Sequence, residues 1–200
     1  MSGPGGEVVM RLICRAKSPP LHRTALLAAA ALIALAAVPL AGSAQPASVP
    51  RILAGTWVPE GGPTRAMRTV EAAFAPSIAT FPSLFQGIAR DRIRSSMEPP
   101  RRVLVSLDSA RVRVTLESAN TTVVAGPLRA PATTSGIQEG TRVTPRLQGG
   151  WLELLYQGEG SELRQLFSTE PDGSRMHLDF TVTSPQLPAP VRYRLEYARP

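Results

Sequence analysis

The sequence predicts a mainly β protein, an antiparallel barrel or strongly curved meander of about eight to ten strands with a two-helix insert after the first strand. Three observations lead there. A short apolar run, Arg51-Ile52-Leu53-Ala54-Gly55-Thr56-Trp57-Val58, has strand composition and is followed at once by two helical stripes. From Arg101 the apolar period changes from that of a helix to two. Beyond that point, clusters of Gly, Pro, Asn and Asp separate the apolar runs at near-regular intervals, and helical patterns are almost absent, which excludes parallel βαβ units.

The first 50 residues read as an address. Arg11, Arg15, Lys17 and Arg23 precede the uncharged run Ala25 to Val38, and Pro39-Leu40-Ala41-Gly42-Ser43-Ala44 supplies small residues suited to cleavage after Ala44. A basic lead, an apolar stretch and small residues are the marks of a signal peptide, assigned here to residues 1–44. Export to a periplasm or outside the cell is expected, with an uncleaved signal-anchored form as the alternative. Met10 is a second candidate start. Residues 45–50, with Pro46 and Pro50, read as a linker, and residues 51–200 as one domain.

Charge and cysteine use narrow the function classes. The chain has 22 basic and 15 acidic residues, and without residues 1–44 the balance is 18 to 14. So mild an excess, spread along alternating strands, argues against a nucleic-acid partner, which needs a basic face. Lys17 is the only lysine. The arginine forks that remain suit carboxylates or phosphates, although a compositional bias toward Arg, Ala, Gly and Pro accounts for them as well. Cys14, the sole cysteine, falls in the expected signal, leaving the domain with no disulfide, thiolate nucleophile or cysteine metal ligand.

Within the domain, Ile52 to Val58 is the first strand, with Gly55 allowing a bend or a close backbone approach. The insert spans residues 64–98. Thr64 can cap a helix carrying Met67, Val70 and Phe74 at three- and four-residue spacing, and Pro76 is expected to break it. A second helix starts at or just after Pro82; Leu84, Phe85, Ile88, Ala89 and Ile93 form its apolar stripe, with Arg90, Asp91, Arg92 and Arg94 opposite or in the last turn. The pair can close a barrel end, act as a lid over a ligand portal, or lie on an anionic membrane surface through its arginines. Glu98-Pro99-Pro100 ends the insert.

The strand series opens with Arg102 to Leu107 and Arg111 to Leu116, joined by Asp108-Ser109-Ala110, with Val103, Val105, Leu107, Val112, Val114 and Leu116 inward. Further strands are expected at Thr121 to Ala125, Gly140 to Leu147, Trp151 to Tyr156, Glu162 to Ser168, Met176 to Thr183 and Val191 to Arg199. Pro127 to Ile137 reads either as another strand or as a loop. The strands are too short, and the aromatics too few, for an outer-membrane barrel.

Gly55-Thr56-Trp57 on a first strand, two short helices, then a meander ending in Tyr193 to Arg199: in this order of elements the chain resembles the calycin barrels, namely the fatty-acid-binding proteins and, more loosely, the lipocalins. The resemblance covers most of the domain and implies a barrel with a cavity for a small ligand. In fatty-acid-binding proteins an Arg-x-Tyr pair on the last strand holds the ligand carboxylate. Here Val191, Tyr193, Leu195, Tyr197 and Arg199 share one face and Arg192, Arg194 and Glu196 the other, so the clamp is expected to be missing. Lipocalins set a basic last-strand residue over the first-strand tryptophan. The resemblance gives that structural role to Arg199, a cation–π contact worth about 0.5–2 kcal/mol.

No catalytic constellation is visible. Apart from His22 in the signal there is only His177, which shares a strand face with Asp179 and Thr181; a base and its orienter would need a nucleophile and a pocket there. Glu153, Glu162 and Asp172 are scattered among outward and turn positions, and Ser168 and Ser184 lack an elbow context. No metal, cofactor or catalytic residue is expected. The leading expectation is an exported, non-catalytic binder of an apolar or amphipathic, lipid-like molecule, with Trp57, Phe74, Phe85, Trp151, Tyr156, Tyr193 and Tyr197 as walls and mouth of the site. The competing expectation is a cavity-free envelope module that docks a protein through the insert or a sheet edge; a hydrolase using His177 comes third.

Overall fold

The computed structural model describes residues 52–108, 110–135, 141–158 and 160–200. The signal peptide and linker readings lie outside the described residues. Ten antiparallel strands form one sheet in the order β5-β4-β3-β2-β1-β10-β9-β8-β7-β6, curled into a nearly closed barrel. They are β1 (Gly55–Pro59), β2 (Arg102–Leu107), β3 (Arg111–Glu117), β4 (Thr122–Pro127), β5 (Thr133–Ser135), β6 (Arg142–Gln148), β7 (Trp151–Gly158), β8 (Ser161–Thr169), β9 (Arg175–Thr183) and β10 (Val191–Ala198). Helices α1 (Gly62–Ala79) and α2 (Ser83–Ser96) follow β1.

β1 is the hinge of this arrangement. Gly55, Thr56 and Trp57 pair with β2, whereas Val58 and Pro59 pair with β10, so five residues join the two halves of the barrel. The strand begins three residues later than its composition suggests, because Ile52 and Leu53 are in a turn whose Leu53 carbonyl accepts the Trp57 indole N–H at 3.0 Å. The opposite seam is thin. Ala132 N–H donates to Val143 O at 2.7 Å, Arg129 N–H to Pro145 O at 2.7 Å, and the Thr134 hydroxyl to Thr141 O at 3.2 Å. Pro145, which has no N–H to offer, is tolerated on β6 because that strand is fully paired only with β7.

Alternation fills the interior. The β2–β3 register sets Val103 opposite Leu116, Val105 opposite Val114 and Leu107 opposite Val112, as the period-two pattern requires. On β10, Val191, Tyr193, Leu195 and Tyr197 are buried and Arg192, Arg194 and Glu196 exposed. Trp57, Tyr156, Phe167 and Tyr197 are among the largest fully buried side chains. The stretch left open between Pro127 and Ile137 contains the short strand β5.

Two expectations about the insert are corrected. Pro76 does not end the first helix, which continues to Ala79. Pro76 and Ala72, whose carbonyl loses its partner, are both exposed, so water can take the free bond. Buried Ser77 and Ile78 then hold the last turn by packing. Entry to the helix uses Gly61 at φ 73°, a left-handed conformation that a glycine reaches without steric cost, in place of a side-chain cap from Thr64. No helix among the described residues is long and apolar enough to cross a membrane.

Candidate functional site

The site is built where the insert meets the end of the barrel. The buried stripe of α1, Ala66, Val70, Phe74, Ser77 and Ile78, faces β10. Phe74 lies 6.2 Å from Tyr193 at a tilt of 55°, and Tyr193 stacks on Phe180 at 4.6 Å. These rings make a rigid floor.

Helix α2 is held much more loosely. None of its residues is buried, and its contacts run through the partly buried Ala89 and Ile93, with Met97 just beyond it. An exposed ion pair between Arg94 and Glu71 of α1 adds an orienting contact of small worth. Its apolar stripe is consequently left open: Leu84 is 79% exposed, Phe85 53% and Ile88 60%.

Between α2, the floor and the β9–β10 connection is a chamber of about 380 Å³. Phe74, Phe81, Phe85, Ile88, Ile93 and Leu187 supply most of its apolar lining, and Arg92, Ser96, Ser184 and Gln186 its polar groups. Arg92 makes no side-chain ion pair among the described residues. A second cavity of about 70 Å³ lies at the barrel mouth beneath Pro99 and Pro100, with Thr122, Gln165 and Tyr193 in its wall. On the outer side of the insert, a groove of about 430 Å³ between the helices is lined by Arg68, Arg90 and the paired Arg94 and Glu71.

The aromatic residues singled out by the sequence divide into three groups. Phe74 and Phe85 line the chamber, and Tyr193 lines the smaller cavity. Trp57, Tyr156 and Tyr197 are fully buried barrel core, and Tyr197 donates its hydroxyl to Pro100 O at 3.0 Å, tying the last strand to the end of the insert. Trp151 stands on the opposite face of β7 from the inward Leu152, Leu154 and Tyr156, and it lines none of these spaces. Burial raises the hydroxyl pKa of Tyr156, Tyr193 and Tyr197 above the ordinary phenol value.

Arg199 sits 4.4 Å over the Trp57 ring, and its guanidinium donates to Ile52 O at 2.9 Å and to Gly173 O at 3.3 Å. Gly55, at φ 132°, makes room for it: a Cβ there would meet the guanidinium at 2.7 Å. This is a structural clasp over the end of the barrel.

On the polar faces the charged groups are engaged with one another. His177 and Asp179 do not form a base and its orienter. β10 sets Arg194 opposite Asp179, and the guanidinium grips both carboxylate oxygens at 2.7 and 2.9 Å, while His177 lies 3.7 Å from Glu170. Arg194 therefore points outward and is engaged, so no Arg-x-Tyr clamp faces the interior. Glu153, read as one scattered acid, is buried on the outer face between Arg146 and Arg164, two exposed cations brought beside it by β6 and β8. Among the described residues no three or more His, Cys, Asp or Glu side chains gather as a metal site.

Several chamber residues were not marked by the sequence. Phe81 and Leu187 belong to turns without a period, and Val182 lies near the end of a strand. Gln165 alternates with apolar neighbours and becomes notable only once its burial is known.

The architecture is a ten-stranded antiparallel meander, nearly closed, with a helix pair after the first strand. Crystal structures of the fluorescent protein UnaG are similar. The wild type matches at 13% identity over 74% of this chain and 96% of that one, with a TM-score of 0.42. A point mutant of it matches at 13% identity over 75% and 97%, with a TM-score of 0.38. No protein-family model matches the sequence, and no curated protein matches it.

Proposed function

We propose that this chain is an exported, non-catalytic binder of an apolar or amphipathic small molecule, and that the chamber beneath α2 is its site. The chamber itself carries the proposal. At about 380 Å³ it reaches the size of small-molecule pockets, and its walls are mostly apolar with a few polar groups, the usual make-up of such sites. An apolar body would lie on the buried Phe74 and against Phe81, Phe85 and Ile88, and would cover the exposed Phe85 and Ile88. An anionic or strongly polar end would lie beside Arg92, whose planar fork suits a carboxylate or phosphate. The looseness of α2 supports entry by displacement of that helix, because few buried contacts must break. Export rests on the basic and apolar pattern of residues 1–44.

A second reading has its own support. The barrel interior is largely filled by side chains such as Trp57, Phe167 and Tyr197, as in a packed interaction module, and the Leu84, Phe85 and Ile88 stripe would then dock a protein partner. Titration with an amphipathic fluorophore such as anilinonaphthalene sulfonate separates the two. A saturable one-to-one signal, displaced by medium-chain acids or alcohols, is expected of the binder. A weak linear signal with no displacement assigns the stripe to a protein partner.

A further inference from the structure

Gln165 lies on the inward face of β8, opposite Leu154 of β7 and Phe180 of β9. It is 4% exposed, and its carboxamide oxygen has no hydrogen-bond partner among the described residues. Burying such a group without a partner opposes folding, so its presence calls for a physical explanation. The residue lines the 70 Å³ cavity together with Glu98, Asn120, Thr122 and Tyr193, a space about the size of two water molecules.

This small cavity adjoins the ligand chamber. Ser96 and Met97 line both, and Tyr193, in the wall of the small cavity, packs on Phe74, in the wall of the large one. The partition is therefore partly a methionine side chain, which is flexible enough to swing aside. The two spaces differ in charge. Glu98 in the wall of the small cavity is already held by Arg101 at 3.1 Å and by the Ala119 N–H at 3.1 Å, and no Arg lines that cavity, whereas Arg92, with no ion-pair partner among the described residues, lines the chamber. An anionic group therefore finds a counter-charge at the outer end and none at the inner one. A carboxamide offers both a donor and an acceptor, which a neutral hydroxyl or amide can match.

We infer that Gln165 is a specificity residue of the ligand site: an apolar ligand body fills the chamber and extends a neutral hydroxyl or amide group past Met97 to the Gln165 carboxamide. The inference rests on the chamber being the ligand site. The test compares 1-decanol with 1-chlorodecane, matched in length but without a hydrogen-bonding head, by displacement of anilinonaphthalene sulfonate from the wild type and from Gln165→Met, a near-isosteric apolar change.

Decanol affinity is expected to fall about three- to tenfold in the variant, the size of one net hydrogen bond, with chlorodecane unchanged or improved. The variant should also unfold at an equal or higher temperature, since a buried polar group without a partner has been removed. Equal shifts for both ligands, or none, would overturn the inference while leaving the chamber as the binding site. If neither decanol nor chlorodecane binds the wild type or the variant, both readings are overturned. If Gln165→Met and Gln165→Leu both fail to fold, the carboxamide serves the fold and the inference is wrong.

Discussion

Phe85 and Phe74 line the same chamber from opposite sides, and their different burial predicts different consequences of truncation. Full burial of a phenylalanine side chain is worth about 1.5–3 kcal/mol. Phe85 is 53% exposed, so roughly half of that is left for a ligand to gain by covering it. Phe85→Ala should therefore weaken binding by ~1 kcal/mol, about fivefold in Kd, and lower the unfolding free energy by less than ~1.5 kcal/mol. Phe85→Asp should weaken binding by more than ~10-fold, because a carboxylate would have to lose water against an apolar ligand. Phe74 is 3% exposed and touches Tyr193, so Phe74→Ala should cost about 3–5 kcal/mol of stability. Leu84→Ala is the control, since Leu84 is 79% exposed and does not line the chamber; Kd should not change. Fluorophore titration and urea unfolding on the four variants read both quantities. Phe85 is not a ligand contact if Phe85→Asp binds like the wild type, or if Leu84→Ala weakens binding as much as Phe85→Ala.

Other consequences concern the frame around the site. Arg199→Ala removes the contact over Trp57 and the bonds to Ile52 and Gly173, and should destabilise the barrel by about 1–3 kcal/mol with a red-shifted tryptophan emission, whereas Arg199→Lys should recover only part of the loss. Tyr156, Tyr193 and Tyr197 are all the tyrosines of the chain, and burial raises each pKa above the ordinary phenol value of 10.0. Their raised values favour the neutral, folded form below the unfolded pKa and withdraw that stability as pH rises past it. Phenolate absorbance should stay flat beyond pH 10.0 and then rise in one cooperative step with loss of the near-ultraviolet dichroism; a gradual rise centred on pH 10.0 would count against the packing described. At the acid end, backbone N–H groups of Ala110 and Arg111 hold Asp108, and that of Ser174 holds Asp172, below the usual carboxylate range. Depressed values stabilise the fold above the unfolded pKa of 3.8 and lose that effect as pH falls below it, so Asp108→Asn with Asp172→Asn should flatten the acid limb of a stability-versus-pH curve.

The frame was far more legible in the sequence than the site. Alternation in Arg111 to Leu116 and Val191 to Tyr197 specifies which side chains face inward, because a strand has only two faces and one of them is buried. The order of helices and strands followed from the change of period at Arg101. Local rules failed where packing or a distant strand decided the outcome. Pro76 is carried through α1 by the buried Ser77 and Ile78, and Asp179 is taken from His177 by Arg194 of the neighbouring strand. Aromatic identity marked core and chamber alike, since both need large apolar surfaces; only position relative to α2 separates Phe85 from Trp57. The inner polar group Gln165 and the loop residue Leu187 had no period or motif to announce them.

Whether the chamber holds a ligand can be read by native mass spectrometry of the purified protein followed by organic extraction. One small apolar or amphipathic molecule per chain is expected, retained by the wild type and lost from Phe85→Asp. A bare protein mass from two expression hosts, with no small molecule taken up on addition of medium-chain alcohols or acids, would contradict it.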